Sequence, residues 1–386
     1  MISMNHNLSH SELVHPARIM SFSELMAGLT DAKLGGQIFE RIGPNGLRLY
    51  CYTNETVYSR SWNQFSLMSR GLIVDVDREC VVATPFPKFF NLGESGDTSI
   101  PNIPFEVFEK LDGSMITIFW HNGRWCCATK GSFESDQAKW AEKYLTTCDL
   151  SKLRSGTTYI AEAIYPENRI VIQYDYAGLV LLAAWNEDGM EESHDHLIDV
   201  ADSLNWRIAE RQSFESISEL ICHTKTLPKT EEGFVIRFAD GLRLKLKGDE
   251  YCRIHSMISH VTPLAIWESM QAGDDLEAIR RDLPEEFWKD FDTILGILNN
   301  QIANIVADVA DVGLKVSALS DKEVGLQLNT FSDHVRKLIF PYRKRGNLLW
   351  GPGNCRALYQ FVRPTRNELA GYVSSSSIHR FEAENA

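Results

Sequence analysis

The stretch FEVFEKLDGSMITIFWHNGRWCCAT, residues 105–129, decides how the rest of the chain is read. Residues 105–110 and 114–120 are rich in β-branched and aromatic side chains and flank a turn at Asp112-Gly113, the signature of two strands. His121-Asn122-Gly123 then folds the chain onto 124–129, because Asn-Gly supplies the positive φ angles of a type I′ hairpin. Lys110 stands at the lip of the first turn, with Ser114 four residues on. A lysine so placed suits an exposed nucleophile; a surface hairpin in which Asp-Gly merely makes the turn is the alternative.

Outward from this hairpin the pattern continues as strands, at 157–163, 169–173, 179–185, 233–237 and 242–246, with a second tight hairpin at Ala239-Asp240-Gly241. Helical segments are expected at 135–147, from 197 onward and at 213–223. After about Tyr251 the texture changes. Phe287, Phe291, Ile294, Leu295, Leu298, Ile302, Ile305 and Val306 recur at helical spacing, with Pro284 at the expected start and Gly313 just past the expected end. A further helix is expected at 321–338, and the serine run 374–377 reads as a loose tail. The expectation is an α+β protein: an N-terminal domain, 1–253, of antiparallel sheets with flanking helices, and an all-α C-terminal domain, 254–386.

Composition sets the bounds. Of 386 residues 44% are apolar and 24% charged, ordinary values for a folded protein. The longest apolar run, 179–185, is far below the roughly 20 residues that span a bilayer, and residues 1–20 contain no secretory h-region. A cytoplasmic protein with no membrane partner is therefore expected. Eight cysteines without a C-x-x-C pair read as reduced thiols, with neither a disulfide frame nor structural zinc expected. His194-Asp195-His196 follows the acidic loop 187–192 and reads as solvated, while Cys252, His255 and His260 show no fourth ligand and read as structural. Asp274-Asp275 reads as a helix cap.

A net charge of −13 disfavours a nucleic-acid partner, but the charge is segregated. Residues 336–366 hold eight basic residues and no Asp or Glu, leaving −21 on the remainder. The stretch interleaves Arg343, Lys344 and Arg345 with Phe340, Tyr342, Trp350, Tyr359 and Phe361. Cations with aromatic faces are what single-stranded RNA requires, and those three basic residues are the candidate RNA contacts. Docking of a basic helix and loop onto the acidic remainder is the alternative. Gly351-Pro352-Gly353 in the same stretch reads as a plain loop.

The hairpin lysine also keeps characteristic company. Ser69-Arg70-Gly71 and Phe86-Pro87-Lys88-Phe89-Phe90-Asn91 precede Lys110-Leu111-Asp112-Gly113-Ser114. Behind it come Lys130-Gly131-Ser132, Ala161-Glu162-Ala163, Pro166-Glu167-Asn168-Arg169-Ile170-Val171, Glu231-Glu232-Gly233-Phe234-Val235 and Leu244-Lys245-Leu246-Lys247. This ordered set resembles the collinear motifs of the covalent nucleotidyltransferases, and most closely those of the RNA ligase 1 family of T-even phages. The resemblance covers about 60–255, half of the chain. It implies an ATP-grasp-like nucleotidyltransferase fold for the first domain. It also implies an ATP-dependent RNA ligase that uses Mg²⁺ or Mn²⁺ to join 5′-phosphate and 3′-hydroxyl RNA ends, in phage RNA or tRNA repair in a host cytoplasm, as a monomer.

The same resemblance assigns roles. Lys110 would form the lysyl–AMP bond, Asp112 and Gly113 would shape its turn, and Glu162 would meet the ribose hydroxyls. Glu232 would hold the metal, with Gly233 permitting close approach. Lys245 and Lys247 would neutralise the α-phosphate, and Arg70, Lys88 and Lys130 would contact phosphates. Phe90, or a residue on 179–185, would stack on adenine. Alternation at period 2 independently puts Lys245 and Lys247 on one strand face, with Leu244 and Leu246 on the other. Such neighbouring cations are expected to depress the pKa of Lys110, ordinarily about 10.4, and so release its nucleophilic form. Two features depart from DNA ligases and capping enzymes, which remain the alternatives within the superfamily. Met115 stands where those enzymes show an arginine, and the chain after 251 is helical rather than an OB-fold. A non-catalytic RNA-binding protein on a ligase scaffold is the alternative from another class.

Overall fold

A computed structural model describes residues 14–94, 100–259, 261–283, 285–350, 355–365 and 368–373. Pro284, His260, Gly351-Pro352-Gly353, Arg366 and the 374–377 run lie outside the described residues. The chain forms two compact units, 1–252 and 253–385.

The first unit contains three sheets. Strands β1 (Ile38–Ile42), β2 (Leu47–Tyr52), β3 (Arg70–Asp75) and β4 (Cys80–Ala83) form an antiparallel meander in that order. The next strands are β5 (Phe90–Asn91), β6 (Phe105–Lys110), β7 (Ser114–His121), β8 (Arg124–Ala128), β9 (Thr158–Ile164) and β10 (Gly178–Trp185). They are followed by β11 (Arg207–Ile208), β12 (Arg211–Gln212), β13 (Gly233–Phe238) and β14 (Arg243–Lys247). The second sheet runs β11-β10-β9-β7-β8 and the third β12-β6-β13-β14-β5. The expected antiparallel sheets are in fact mixed. β10–β11 and β14–β5 pair in parallel, each adding a two-residue edge strand from a distant part of the chain.

Period-2 alternation explains the layering. On β2, Leu47, Leu49 and Cys51 face Phe119, Cys126 and Ala128 of the second sheet. Tyr50, between them, faces Leu25 and Leu29 of the helix Phe22–Leu34 on the other side. The second sheet buries its remaining face, including Ile116, Ile118, Ala161 and Leu179, against the helices Asp136–Leu145 and His194–Leu204. The third packs Val107, Phe234, Ile236 and Leu244 on Leu220 of the helix Ile217–Thr224. Each Leu or Phe buried this way contributes about 2 kcal/mol by removal of apolar surface from water.

The Asn-Gly turn forms as read, with Asn122 at φ 48° and Gly123 at φ 80°. The tight hairpin ends with Gly241 at φ 85° and a Phe238–Leu242 backbone hydrogen bond. Residues 169–173, expected as a strand, belong to none. Their amide groups are instead claimed by a side chain of the site described below.

Within the second unit the described secondary-structure elements are helical, apart from one isolated bridge, Thr365 with Glu368. Glu285–Lys315 is its long helix, packed with Asp333–Arg345 around Val309, Val335, Leu338 and Ile339. The helix does not stop before Gly313 but runs through it. A Cβ there would lie 2.6 Å from the Tyr342 ring, so the glycine serves close helix packing rather than termination. The segment expected as one helix at 321–338 is two, Asp321–Gln327 and Asp333–Arg345, separated by a 3₁₀ turn at Leu328–Thr330. Asp275 caps the helix Leu276–Asp282 by accepting a hydrogen bond from Ala278 N. Among the described residues no helix is long and apolar enough to cross a membrane.

Candidate active site

The hairpin lysine ends β6, and the third sheet gathers its neighbours. Gly233, the first residue of β13, pairs with Lys110 on one side and Lys247 on the other. Glu232 immediately precedes it and is placed between the two lysines. Its Oε2 lies 2.7 Å from Lys110 Nζ and its Oε1 2.9 Å from Lys247 Nζ. Glycine is required for this closeness. Gly233 has φ 143°, and a Cβ on it would fall 2.0 Å from the Leu246 carbonyl oxygen. On the opposite wall Gly113 abuts β9, where a Cβ would lie 2.6 Å from the Ala163 oxygen. β7 pairs Met115 with Glu162, bringing that carboxylate alongside the turn, buried.

The electrostatics follow from burial and these pairings. Burial disfavours the Lys110 ammonium, but Glu232 and then Glu162 outweigh it, and the pKa of Lys110 is raised. The expected depression is thus reversed, because Glu232, 2.7 Å away, and Glu162 dominate the field at Lys110. The depressed lysine is Lys245, lowered to about 7 by burial and then by Lys88, Lys110, Lys247 and Arg70. Burial raises Glu162 to about 7, with Lys110 opposing. For Glu232 burial is outweighed by Lys110 and Lys247, which hold its carboxyl below the usual range.

Asp112 does more than shape a turn. Its Oδ2 accepts hydrogen bonds from Val171 N at 2.8 Å and Ile172 N at 2.7 Å, and its Oδ1 accepts one from Tyr251 OH at 2.8 Å. Its own backbone N–H donates to Tyr174 OH at 2.8 Å. Ser114 Oγ donates to Asn168 Oδ1 at 2.9 Å, and Asn168 Nδ2 donates to the Ala163 oxygen at 2.8 Å. The Lys110–Ser114 turn is therefore bound to the segment 168–172, which explains why that segment joins no sheet. Tyr174 and Tyr251 are parts of the site that sequence reasoning missed. Tyr251, four residues beyond Lys247, was the available signal.

Cations line the remaining side. Arg70 opens β3, and its Nη1 is buried without a hydrogen-bond partner, while its guanidinium lies 5.3 Å from the Phe89 ring centroid. Gly71, at φ 96°, brings this strand against Lys130, whose Cα would lie 3.1 Å from an added Cβ. Burial lowers the pKa of Lys88, with Arg70 and Lys130 lowering it further and Tyr52 and Glu94 opposing. Phe90 pairs with Leu244 on β14 and sets its ring edge-on to Trp62, 5.5 Å away. On the 179–185 strand, Trp185 is buried against Phe86 at 5.2 Å.

The basic stretch behaves differently from the expectation. Arg343 spends its guanidinium inside the second unit, with Nε donating to Asp321 Oδ1 at 2.8 Å, Nη1 to the Val316 oxygen at 2.7 Å and Nη2 to the Leu319 oxygen at 2.6 Å. It fastens the end of the long helix and is not an available RNA contact. Lys344 and Arg345 are exposed. Phe340, Tyr342, Trp350 and Phe361 pack on the helical core, and Tyr342 stacks on Trp350 at 5.6 Å, so they are not free base platforms.

Residues 68–251 match the family model described as RNA ligase, of the T4 RNA ligase 1 type, as the motif order indicated. A candidate RNA ligase of Thermovibrio ammonificans is 31% identical over 212 residues, covering 50% of this chain and 54% of that protein. A candidate bifunctional polynucleotide kinase/RNA ligase of Autographa californica nuclear polyhedrosis virus is 28% identical over 219 residues, covering 48% of this chain and 30% of that protein. The chain thus matches about half or less of the length of these relatives. Among solved structures, an archaeal ATP-dependent RNA ligase aligns with a TM-score of 0.45 at 15% identity, over 72% of this chain and 79% of that one.

Proposed function

We propose that the protein is an ATP-dependent RNA ligase that works through a lysyl–AMP intermediate on Lys110. The observation that carries the reading is the buried Lys110–Glu232–Lys247 arrangement, set beside Lys245 and an unpartnered Arg70 nitrogen. The amine is held by Glu232 and accompanied by Lys247, Lys245 and Arg70, cations placed to receive a polyphosphate.

In the first step Lys110 Nζ forms a bond to the α-phosphorus of ATP as the bond to the β-phosphate oxygen breaks, releasing pyrophosphate. Lys110 must first exchange its contact with Glu232 and lose a proton. Once Glu232 is drawn off, Lys245 and Lys247 favour the neutral amine and then neutralise the α-phosphate. Asp112 holds the turn so that Nζ keeps its direction, and Glu162 is placed to accept hydrogen bonds from the ribose hydroxyls. The donor set suits a Mg²⁺ or Mn²⁺ that arrives with the nucleotide. The described residues form no cluster of three or more metal-binding side chains, while Glu232 offers one buried carboxylate beside the phosphate path. Magnesium is commonly held in this way, by one or two carboxylates plus substrate phosphates. Glu232 would hold the ion, which supplies charge neutralisation of the triphosphate when bound.

AMP then passes to a 5′-phosphate RNA end, and a 3′-hydroxyl displaces it to seal the strand. The 1–253 region would carry the nucleotide chemistry and the helical remainder, through Lys344 and Arg345, would contribute to RNA contact; repair of broken RNA, including tRNA, is the setting that the family likeness suggests. In the test, protein incubated with Mg²⁺ and α-labelled ATP becomes covalently labelled, and Lys110→Ala does not while keeping its fold. A labelled Lys110→Ala would contradict the assignment.

A further inference from the structure

Lys110 and Lys247 share the single carboxylate of Glu232. Lys88 makes no ion pair within 4 Å among the described residues, Glu94 acting on it only through the longer-range field. Its ammonium rests instead against three aromatic rings, 5.7 Å from the centroid of Tyr52, 5.5 Å from Trp62 and 5.1 Å from Phe90. The rings brace one another edge to face, Tyr52 on Trp62 at 5.1 Å and 76°, Trp62 on Phe90 at 5.5 Å and 80°. They come from three separate places: the end of β2, the link between the helices Asn54–Ser59 and Gln64–Met68, and β5.

A carboxylate would hold an ammonium more firmly than rings do, but it would also cancel the charge. Ring quadrupoles fix the position and leave the charge available. The position itself is informative. Lys110 and Lys247 flank Gly233; Lys245 lies two residues away along β14, in register with Asn91; and Lys88 precedes β5, its backbone N–H donating to the Leu67 oxygen. Lys88, Lys110, Lys247 and Arg70 all act on the buried Lys245, so these cations form one cluster.

We propose that Tyr52 and Trp62 are positioning residues that hold the Lys88 ammonium by ring contacts, on the β5 side of this cluster, where it meets the departing pyrophosphate. The inference rests on the lysyl–AMP reading and adds two residues that contact no reacting atom.

The test compares full-length Trp62→Leu, Trp62→Phe and Tyr52→Leu with the unaltered protein. Three quantities are followed: the KM for ATP in covalent adenylylation, the inorganic pyrophosphate concentration that reverses it by half, and the closure rate with pre-adenylylated RNA, which carries no pyrophosphate. Trp62→Leu is expected to raise the first two about tenfold, the scale of a desolvated cation–π contact, with the maximal adenylylation rate changed less than about threefold. Trp62→Phe, which restores a ring face, is expected to recover most of the loss, Tyr52→Leu to act in the same direction as Trp62→Leu, and closure to be unchanged in all three. Unaltered ATP and pyrophosphate dependence in Trp62→Leu overturns the inference, as does Phe behaving like Leu or closure falling in parallel. If the unaltered protein takes up no label, the ligase reading falls and this inference with it. Labelling of the unaltered protein alongside an unmoved Trp62→Leu removes the inference alone.

Discussion

Lys110 is stored as an ammonium, clamped to Glu232 and raised in pKa by it, while the lysine with a depressed pKa is Lys245. The two therefore respond to pH differently. In the free site Lys245 loses its proton as pH rises through about 7, and an anion that needs its charge must bind with proton uptake. Affinity for a non-reacting ATP analogue is thus expected to fall as pH rises above 7. Lys245→Arg, whose guanidinium stays charged, should flatten that fall; calorimetric titration across pH 6.5–9 checks it. Gly233 gives a second prediction. Gly233→Ala must relieve both a φ of 143° and a contact with backbone, so it should destabilise the first unit by about 3 kcal/mol and abolish adenylylation, read by thermal melting and labelling. The sequence named Lys110, Glu162, Glu232, Lys245 and Lys247 because the motif order singles them out. It did not reveal the sign of the Lys110 shift, which depends on distances to two acids drawn from strands far apart in sequence. Asp112 was legible as a turn former but not as an acceptor of three hydrogen bonds, since its partners lie 59 to 139 positions away.

Among the elements, the hairpins were readable because Asn122-Gly123 and Asp240-Gly241 encode their turns locally. The two-residue strands β5 and β11 were not, because each exists only through parallel pairing with a distant strand. The segment 169–173 shows the converse: its apolar residues suggest a strand, yet the Asp112 carboxylate takes the amides of Val171 and Ile172. In the helical unit, eight basic residues in a row of aromatics suggested an RNA surface, but composition does not tell an exposed ring from a packed one. Arg343 fills a structural role, tying Val316, Leu319 and Asp321 to its own helix. Arg343→Ala should therefore lower stability by about 2 kcal/mol, the loss of charge-assisted hydrogen bonds to groups left partly buried. The pair Lys344→Ala and Arg345→Ala should leave the melting temperature unchanged and instead reduce the salt dependence of RNA binding. Melting curves and binding at several salt concentrations separate the two roles.

At the scale of the molecule, charge is segregated by purpose. A chain of net charge −13 keeps Arg70, Lys88, Lys110, Lys245 and Lys247 within a few strands of the first unit, close enough that the other four add to burial in lowering the pKa of Lys245. The total charge hides this, and only the motif order exposed it. The central claim is that this cation cluster serves one covalent step on Lys110. Its most direct measurement is mass spectrometry of the intact protein after incubation with ATP and Mg²⁺, followed by peptide mapping. The account predicts a single added AMP on the peptide containing Lys110, removed by pyrophosphate and absent from Lys110→Ala. A protein that stays unmodified while folded and free of bound nucleotide, or AMP carried on another residue, would contradict it.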